Sequence, residues 1–207
     1  MAVYRIIGKR AFDIVGSLAA LLILSPLIAI VAMVVIFSMG SPILFRQQRV
    51  GKHGRFFTLI KFRTMSLNSE LLGTVTVKGD PRITPVGAIL RRFKIDELPQ
   101  LVNVLIGDMS VIGPRPDVPE MTDTLTGEDG AILSIRPGLT GPASVIYARE
   151  ETILAGRADP ALYNREVIYK RKTRINRSYI GKICLCADMY WIYRTVLSMR
   201  SRKKDRR

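Results

Sequence analysis

A single histidine and two cysteines are all that 207 residues offer for imidazole or thiol chemistry. A Ser/His relay or a histidine-metal centre would have to be built on His53 alone, so neither is expected. Cys184 and Cys186 alternate within an apolar stretch that holds no histidine, which argues against zinc and for a reduced pair, interior or membrane-facing. Acidic residues are also short, 17 against 32 Lys+Arg for a formal charge of +15. Such an excess calls for an anionic partner: nucleic acid, lipid headgroups or a phosphorylated substrate. No P-loop, Gly-rich dinucleotide fingerprint or internal repeat is present. Carboxylates or lysine must therefore carry any catalysis.

Charge is missing altogether from Ile14 to Phe45, a run of 32 residues. That is longer than the roughly 20 residues needed to cross a bilayer, and no cleavage site of small residues follows it, so a signal peptide is a poor fit. Ser25 and Pro26 interrupt the run near its middle, where proline removes a helical hydrogen bond and favours a kink. Basic residues flank both ends, Arg5, Lys9 and Arg10 before and Arg46, Arg49, Lys52 and Arg55 after, whereas a spanning helix carries its excess on one side. Each arm, about a dozen residues or roughly 18 Å, can enter one leaflet and return. Re-entrant and kinked-spanning helices stand even on these grounds. Ser25 is placed to bond a carbonyl freed by the break, and Lys9 and Arg10 are available to headgroups.

The remainder reads as one domain. "PILFRQQRVGKHGRFFTLIKFRTM" predicts a hairpin turning at Gly51 and Gly54, with one apolar face and one partly basic. A helix is expected from about Pro85 to Phe93, capped by Thr84. In "IDELPQLVNVLIG", Asp96 suits an N-cap and Leu98, Leu101, Val102 and Leu105 suit the buried face. Near the end, Asp188 argues against a second span, leaving a helix packed on the core or lying at the interface with Tyr190, Trp191 and Tyr193 at headgroup level. The fold class is α/β, mainly helical with a small β-hairpin or sheet. The expected division is a membrane-associated segment at 1–40, a catalytic domain at 41–200 with interfacial amphipathic helices, and a basic tail at 201–207.

The adjacent carboxylates Asp96 and Glu97 stand out because their surroundings are so basic. Residues 46–115 hold twelve basic and five acidic side chains, and this pair is two of the five. As a helix start the pair is ordinary electrostatics. With Lys61, Arg91, Arg92 and Arg115 converging on it, the same spot would collect a diphosphate, and an ionised carboxylate beside a phosphate calls for Mg²⁺ between them. Arg115 is held between Pro114 and Pro116, a rigid mount for a guanidinium. Arg136, in "SIRPGLTGPASV", faces either the site or solvent.

"KRAFD", the apolar segment with Ser25-Pro26, "ILFRQQRVGKHGRFFTLIKFRTM", "DPRITPVGAILRRFKIDELPQLVNVLIGDMSVIGPRP" and "RPGLTG" together resemble the bacterial sugar transferases, the monotopic polyprenol-phosphate phosphoglycosyl transferases. The resemblance runs in order from Lys9 to Gly141, with a length typical of the catalytic-domain-only type. It implies that Asp96 is a nucleophile attacking the β-phosphate of a UDP-sugar with Mg²⁺ present, that Glu97 aids metal or proton handling, and that undecaprenyl phosphate then takes the phosphosugar. It implies phosphate binding by Lys61, Arg91 and Arg115, a nucleotide-side motif at Pro114–Pro116, and a re-entrant break at Ser25 and Pro26. The expected setting is the cytoplasmic face of the inner membrane, on one leaflet containing anionic lipid, with homodimerisation left open. After "RPGLTG" the chain departs from the family's aromatic-glutamine pattern with "PASVIYAREE", so the sugar does not carry over. The competing reading is a non-catalytic basic membrane-surface binding module. Nucleic acid is not expected, because no recognisable RNA-binding aromatics interleave the basic run at 46–63.

Overall fold

The computed structural model describes residues 4–67, 69 and 75–204. After a π-helical turn at Tyr4–Gly8 comes the long helix α1 (Lys9–Met39), then strands β1 (Leu44–Val50) and β2 (Phe56–Phe62). Helices α2 (Pro85–Arg92) and α3 (Gln100–Ile106) lead to β3 (Ser110–Ile112), α4 (Pro119–Thr122) and β4 (Gly138–Thr140). Short helices α5 (Pro142–Ile146), α6 (Glu150–Ala155) and α7 (Pro160–Tyr163) precede α8 (Lys170–Ile180) and α9 (Leu185–Lys204). Among the described residues the architecture is mostly helical with two small sheets, in line with the sequence expectation.

β1 and β2 form the anticipated antiparallel hairpin, with Phe45 opposite Lys61. The chain turns through Gly51 and a 3-10 turn in which His53 and Gly54 take positive φ. The faces differ from the expected division. Phe57 and Leu59 pack with Val104 and Met109, and Lys61 follows them on that face at the strand's period of two. Phe62 faces the other way, against Val31, Val35 and Leu90. The parallel pair of β3 with β4, Ser110 opposite Gly138 and Ile112 opposite Thr140, had no forecast in the sequence.

α1 is one continuous helix through Pro26. Pro26 has no N–H to offer the carbonyl four residues back. That carbonyl belongs to Leu22, and Ser25 Oγ donates to it at 2.9 Å. Both ends of α1 are pinned to the same body. At the start, Lys9 pairs with the buried Asp188 of α9, Arg10 donates to the carbonyls of Val104 and Leu105 at the end of α3, and Asp13 accepts from Ser110 Oγ and the Val111 N–H. These polar residues anchor the helix internally, which corrects the headgroup role offered for Lys9 and Arg10. At the far end, Val31 and Val35 pack on Phe62 and Leu90, while the Arg63 guanidinium caps the carbonyls of Met39, Gly40 and Ser41. Between these ends the helix exposes large apolar side chains, Leu22, Ile23, Ile30 and Met33 among them.

One glycine sets the position of α2. A Cβ on Gly87 would lie 1.9 Å from the Thr64 carbonyl oxygen, so only glycine lets α2, which carries Arg91, cross the strand end that follows Lys61. Gly87→Ala is expected to cost about 1–3 kcal/mol or more through backbone displacement and to lower activity by moving Arg91. Denaturation midpoints beside specific activity check this, and an unchanged midpoint would refute the contact.

Candidate active site

Asp96 and Glu97 sit on a 3-10 turn, Ile95–Glu97, entered through Lys94 in the left-handed region at φ 58. That turn removes Asp96 from the cap position. α3 instead begins after Pro99 with no side-chain cap, so the N-cap reading of Asp96 is corrected. The buried face of α3 is also shifted, to Leu101 and Val104 with Gln100 and Asn103, whereas Val102 is exposed. Both carboxylates are buried, and among the described residues Asp96 Oδ1 has no hydrogen-bond partner. A helix cap would have spent that oxygen on a backbone N–H.

The two carboxylates live differently. Burial pushes Glu97 up, but the Arg115 guanidinium and the Lys94 ammonium bring it well below the usual carboxylate range. Arg115 Nη2 donates to Glu97 Oε1 at 2.7 Å, and Lys94 Nζ lies 3.6 Å from the same oxygen. Asp96 is pushed up, by burial and by its neighbour Glu97, with Lys94, Lys61 and Arg91 opposing. Glu97 is a fixed anion, and Asp96 is the carboxylate with an oxygen, Oδ1, that no described group bonds.

Lys61, Arg91 and Arg115 do come together around the pair. Lys61 acts on both Asp96 and Glu97 and is itself acted on by Arg91, Arg115 and Arg49. Its Nζ lies 5.0 Å over the ring of Phe45, its cross-strand neighbour. Burial, reinforced by these guanidinium groups and opposed by Asp96, lowers Lys61 to about 8. Arg115 keeps its mount: Pro114 and Pro116 are buried, the Pro114 carbonyl accepts from Gly138 N at 2.6 Å, and the Pro116 carbonyl accepts from Arg49. Crowding makes this mount possible, since a Cβ on Gly138 would lie 2.1 Å from Gly113 N. Arg92 does not join the group; it is exposed and stacks near Phe93. Arg136 is half-buried, and its Nε donates to the Gly107 carbonyl at the end of α3.

Lys61, Arg91 and Arg49 also line a cleft of about 950 Å³ whose opposite wall is apolar, formed by Leu21, Ile28, Ala32 and Ile36 of α1. The same ammonium and guanidinium groups therefore serve a carboxylate site and a groove along the hydrophobic helix. Residues 4–202 match the family described as bacterial sugar transferase.

The chain belongs to the bacterial sugar transferase family.

It is 39% identical over 204 residues to the exopolysaccharide production protein PSS of Rhizobium leguminosarum bv. phaseoli, across 95% of this chain and 96% of that one. It is 40% identical over 153 residues to an undecaprenyl-phosphate glucose phosphotransferase of Komagataeibacter xylinus, across 70% of this chain and 29% of that one. With an undecaprenyl-phosphate galactose phosphotransferase of Salmonella typhimurium it shares 42% identity over 149 residues, 64% of this chain and 31% of that one.

The resemblance also implies Mg²⁺, and the donor set of this family member fits it. Asp96 offers an unpartnered buried oxygen beside a second carboxylate. Among the described residues no group of three or more metal-type side chains occurs. Mg²⁺ takes one or two carboxylates and completes its shell with phosphate and water. Several residues at the site escaped sequence reading. Arg49 of β1 donates to the Pro116 carbonyl and to Gln47 Oε1 on its own strand, and its charge acts on Lys61. Asp117, next to the Pro-Arg-Pro mount, is pushed by burial to about 6 against the pull of Lys172, Arg49 and Arg115. Glu150 and Glu151 bring acidic groups to Lys172 and Arg91. The only signal for the last two was the departure from the family pattern at "PASVIYAREE".

Proposed function

We propose that this protein is a phosphoglycosyl transferase that moves a phosphosugar from a UDP-sugar to undecaprenyl phosphate or a closely related polyprenyl phosphate. The observation that carries the reading is the buried, unpartnered oxygen of Asp96 among Lys61, Arg91 and Lys94, beside a cleft walled by the apolar helix. A cytosolic donor with two phosphates and a lipid acceptor with one both need that combination. The names of its relatives point the same way.

In the first step an Asp96 carboxylate oxygen attacks the β-phosphorus. The bond from that phosphorus to the bridging oxygen breaks, and UMP leaves with the bridging oxygen. The phosphosugar is then held as an acyl phosphate on Asp96. In the second step an oxygen of the polyprenyl phosphate attacks the same phosphorus, the carboxylate is released, and polyprenyl-diphosphate-sugar results. Splitting the transfer in two lets dissimilar substrates use one site in turn. Lys61, Arg91 and Arg115 bind and orient the phosphates, and their fixed charges offset the charge developing on the leaving group. Glu97 holds Arg115 in place. Asp96 and Glu97 would hold Mg²⁺, which when bound neutralises diphosphate charge.

Both ends of α1 being tied to one globular body supports a helix that enters and leaves a single leaflet, because a span would separate them across the bilayer. The catalytic face then lies at the cytoplasmic surface of the inner membrane, where UDP-sugars are. The test is UMP release by solubilised protein given Mg²⁺, undecaprenyl phosphate and a panel of UDP-sugars. Sustained turnover that needs lipid phosphate supports the reading and identifies the sugar; release without lipid at the same rate would make the protein a nucleotide-sugar hydrolase.

The pH profile adds a second check. In the empty enzyme Lys61 loses its charge as pH rises through about 8, so kcat/KM for the donor falls above that pH, since this ratio reports groups of the free enzyme. Lys61→Arg keeps its charge throughout this range and removes the alkaline limb. A wild-type profile that stays flat well past pH 8 would contradict the placement of Lys61 at the donor phosphates.

A further inference from the structure

Arg91 already holds an anion. Its Nη2 donates to Glu151 Oε1 at 2.5 Å, an ion pair between α2 and the first turn of α6. The Glu151 side chain is 49% exposed and that of Arg91 20%, so the carboxylate approaches from the solvent side while the guanidinium is rooted in the protein. The backbone beneath it is fixed, with the Glu151 carbonyl accepting from Lys78 N at 3.1 Å. Glu151 can therefore swing its side chain away without moving its own backbone. A guanidinium edge that grips a carboxylate is the edge that would grip a phosphate, since both present two oxygens to the same planar fork. The two ligands exclude each other at that edge.

Resting on the reading that Arg91 receives a phosphate, we infer that Glu151 is an internal competitor for it, closed on Arg91 in the empty enzyme and displaced when a phosphorylated substrate arrives. The pair contributes little to the fold, because exposed ion pairs are weak. Its effect is on ligand exchange. It keeps the arginine paired between turnovers, weakens binding of the phosphate on which Arg91 acts, and returns to the guanidinium as the product leaves. Two substrates that use one site in turn benefit from a group that helps clear it.

The test is Glu151→Gln in the full chain, alone and combined with Arg91→Gln. Binding of UDP and, separately, of a short-chain polyprenyl phosphate in detergent micelles is measured by calorimetry at low and high salt. Glu151→Gln is expected to tighten binding about two- to five-fold, the worth of the exposed pair it removes. The gain shrinks at high salt and vanishes in the Arg91→Gln background. A gain in the UDP arm assigns Arg91 to the donor phosphates, and a gain in the micelle arm assigns it to the lipid phosphate. Unchanged or weaker binding in both arms would overturn the inference, as would the same gain without Arg91, which marks a general field effect. Wild-type protein that turns over normally while Glu151→Gln binds unchanged defeats the competitor alone. Wild-type protein that releases no UMP with any UDP-sugar defeats the reading of the site instead.

Discussion

Asp96→Asn should abolish UMP release while leaving the protein folded and at least as stable as the wild type. The expected loss is about 10⁴-fold or more, the scale seen when a covalent nucleophile is removed. The stability arm follows from the environment. Burial and Glu97 both work against the ionised form of Asp96, so the charge costs folding energy, and an amide of the same shape relieves it. Melting in detergent should therefore show an unchanged or raised midpoint for the variant. A lowered midpoint would mean that the carboxylate bonds something structural, and full activity would remove Asp96 from the chemistry.

Asp188→Ala should be among the most destabilising single changes in the chain, about 3–5 kcal/mol. Asp188 has no exposure and accepts from Lys9 Nζ and Tyr4 OH at 2.7 Å each and from Tyr179 OH. Removing it strands a mostly buried ammonium and two hydroxyl groups. The pair roots the long apolar helix α1 in α9, so the loss should appear as lower yield and midpoint, with the kcat of the folded fraction preserved. Replacing both partners by apolar residues, Lys9→Met with Asp188→Leu, should recover much of the loss, because the cost lies in the uncompensated charge rather than in the absence of the pair. Equal damage from the single and double variants would contradict this.

Charge made the site legible in sequence. Asp96 and Glu97 were conspicuous because so few acids share their stretch, and Arg115 because two prolines frame it, while Lys61 and Arg91 were named from their basic neighbourhood and the family resemblance. Local rules then misassigned the detail. Asp96 followed by Glu97 and Pro99 has the composition of a helix start, but Lys94 takes a left-handed conformation, and that one dihedral rotates the carboxylate off the cap. Lys9 and Arg10 looked available to headgroups, and Arg136 was open to either the site or solvent. Each instead serves a partner far away in sequence, Asp188, the end of α3 and Gly107, and no local pattern contains such pairings. The β3–β4 pair was hidden for a related reason: three-residue strands joined across 25 intervening residues leave no period to read. Ser25 and Pro26 were read as a helix break; the helix continues through them, and Ser25 bonds the Leu22 carbonyl to which Pro26 offers no N–H. Glu151 lay where the chain leaves the family pattern, which is where resemblance has least to say.

The account turns on a carboxylate that becomes covalently loaded, and intact-protein mass spectrometry after incubation with a UDP-sugar and Mg²⁺, without lipid phosphate, tests it most directly. The predicted result is one equivalent of UMP released and a mass increase of one phosphosugar located on the peptide carrying Asp96. That adduct should be absent from Asp96→Asn and discharged on adding undecaprenyl phosphate. UMP appearing only when both substrates are present, with no adduct at any time, would contradict the two-step mechanism and require direct transfer between the bound substrates.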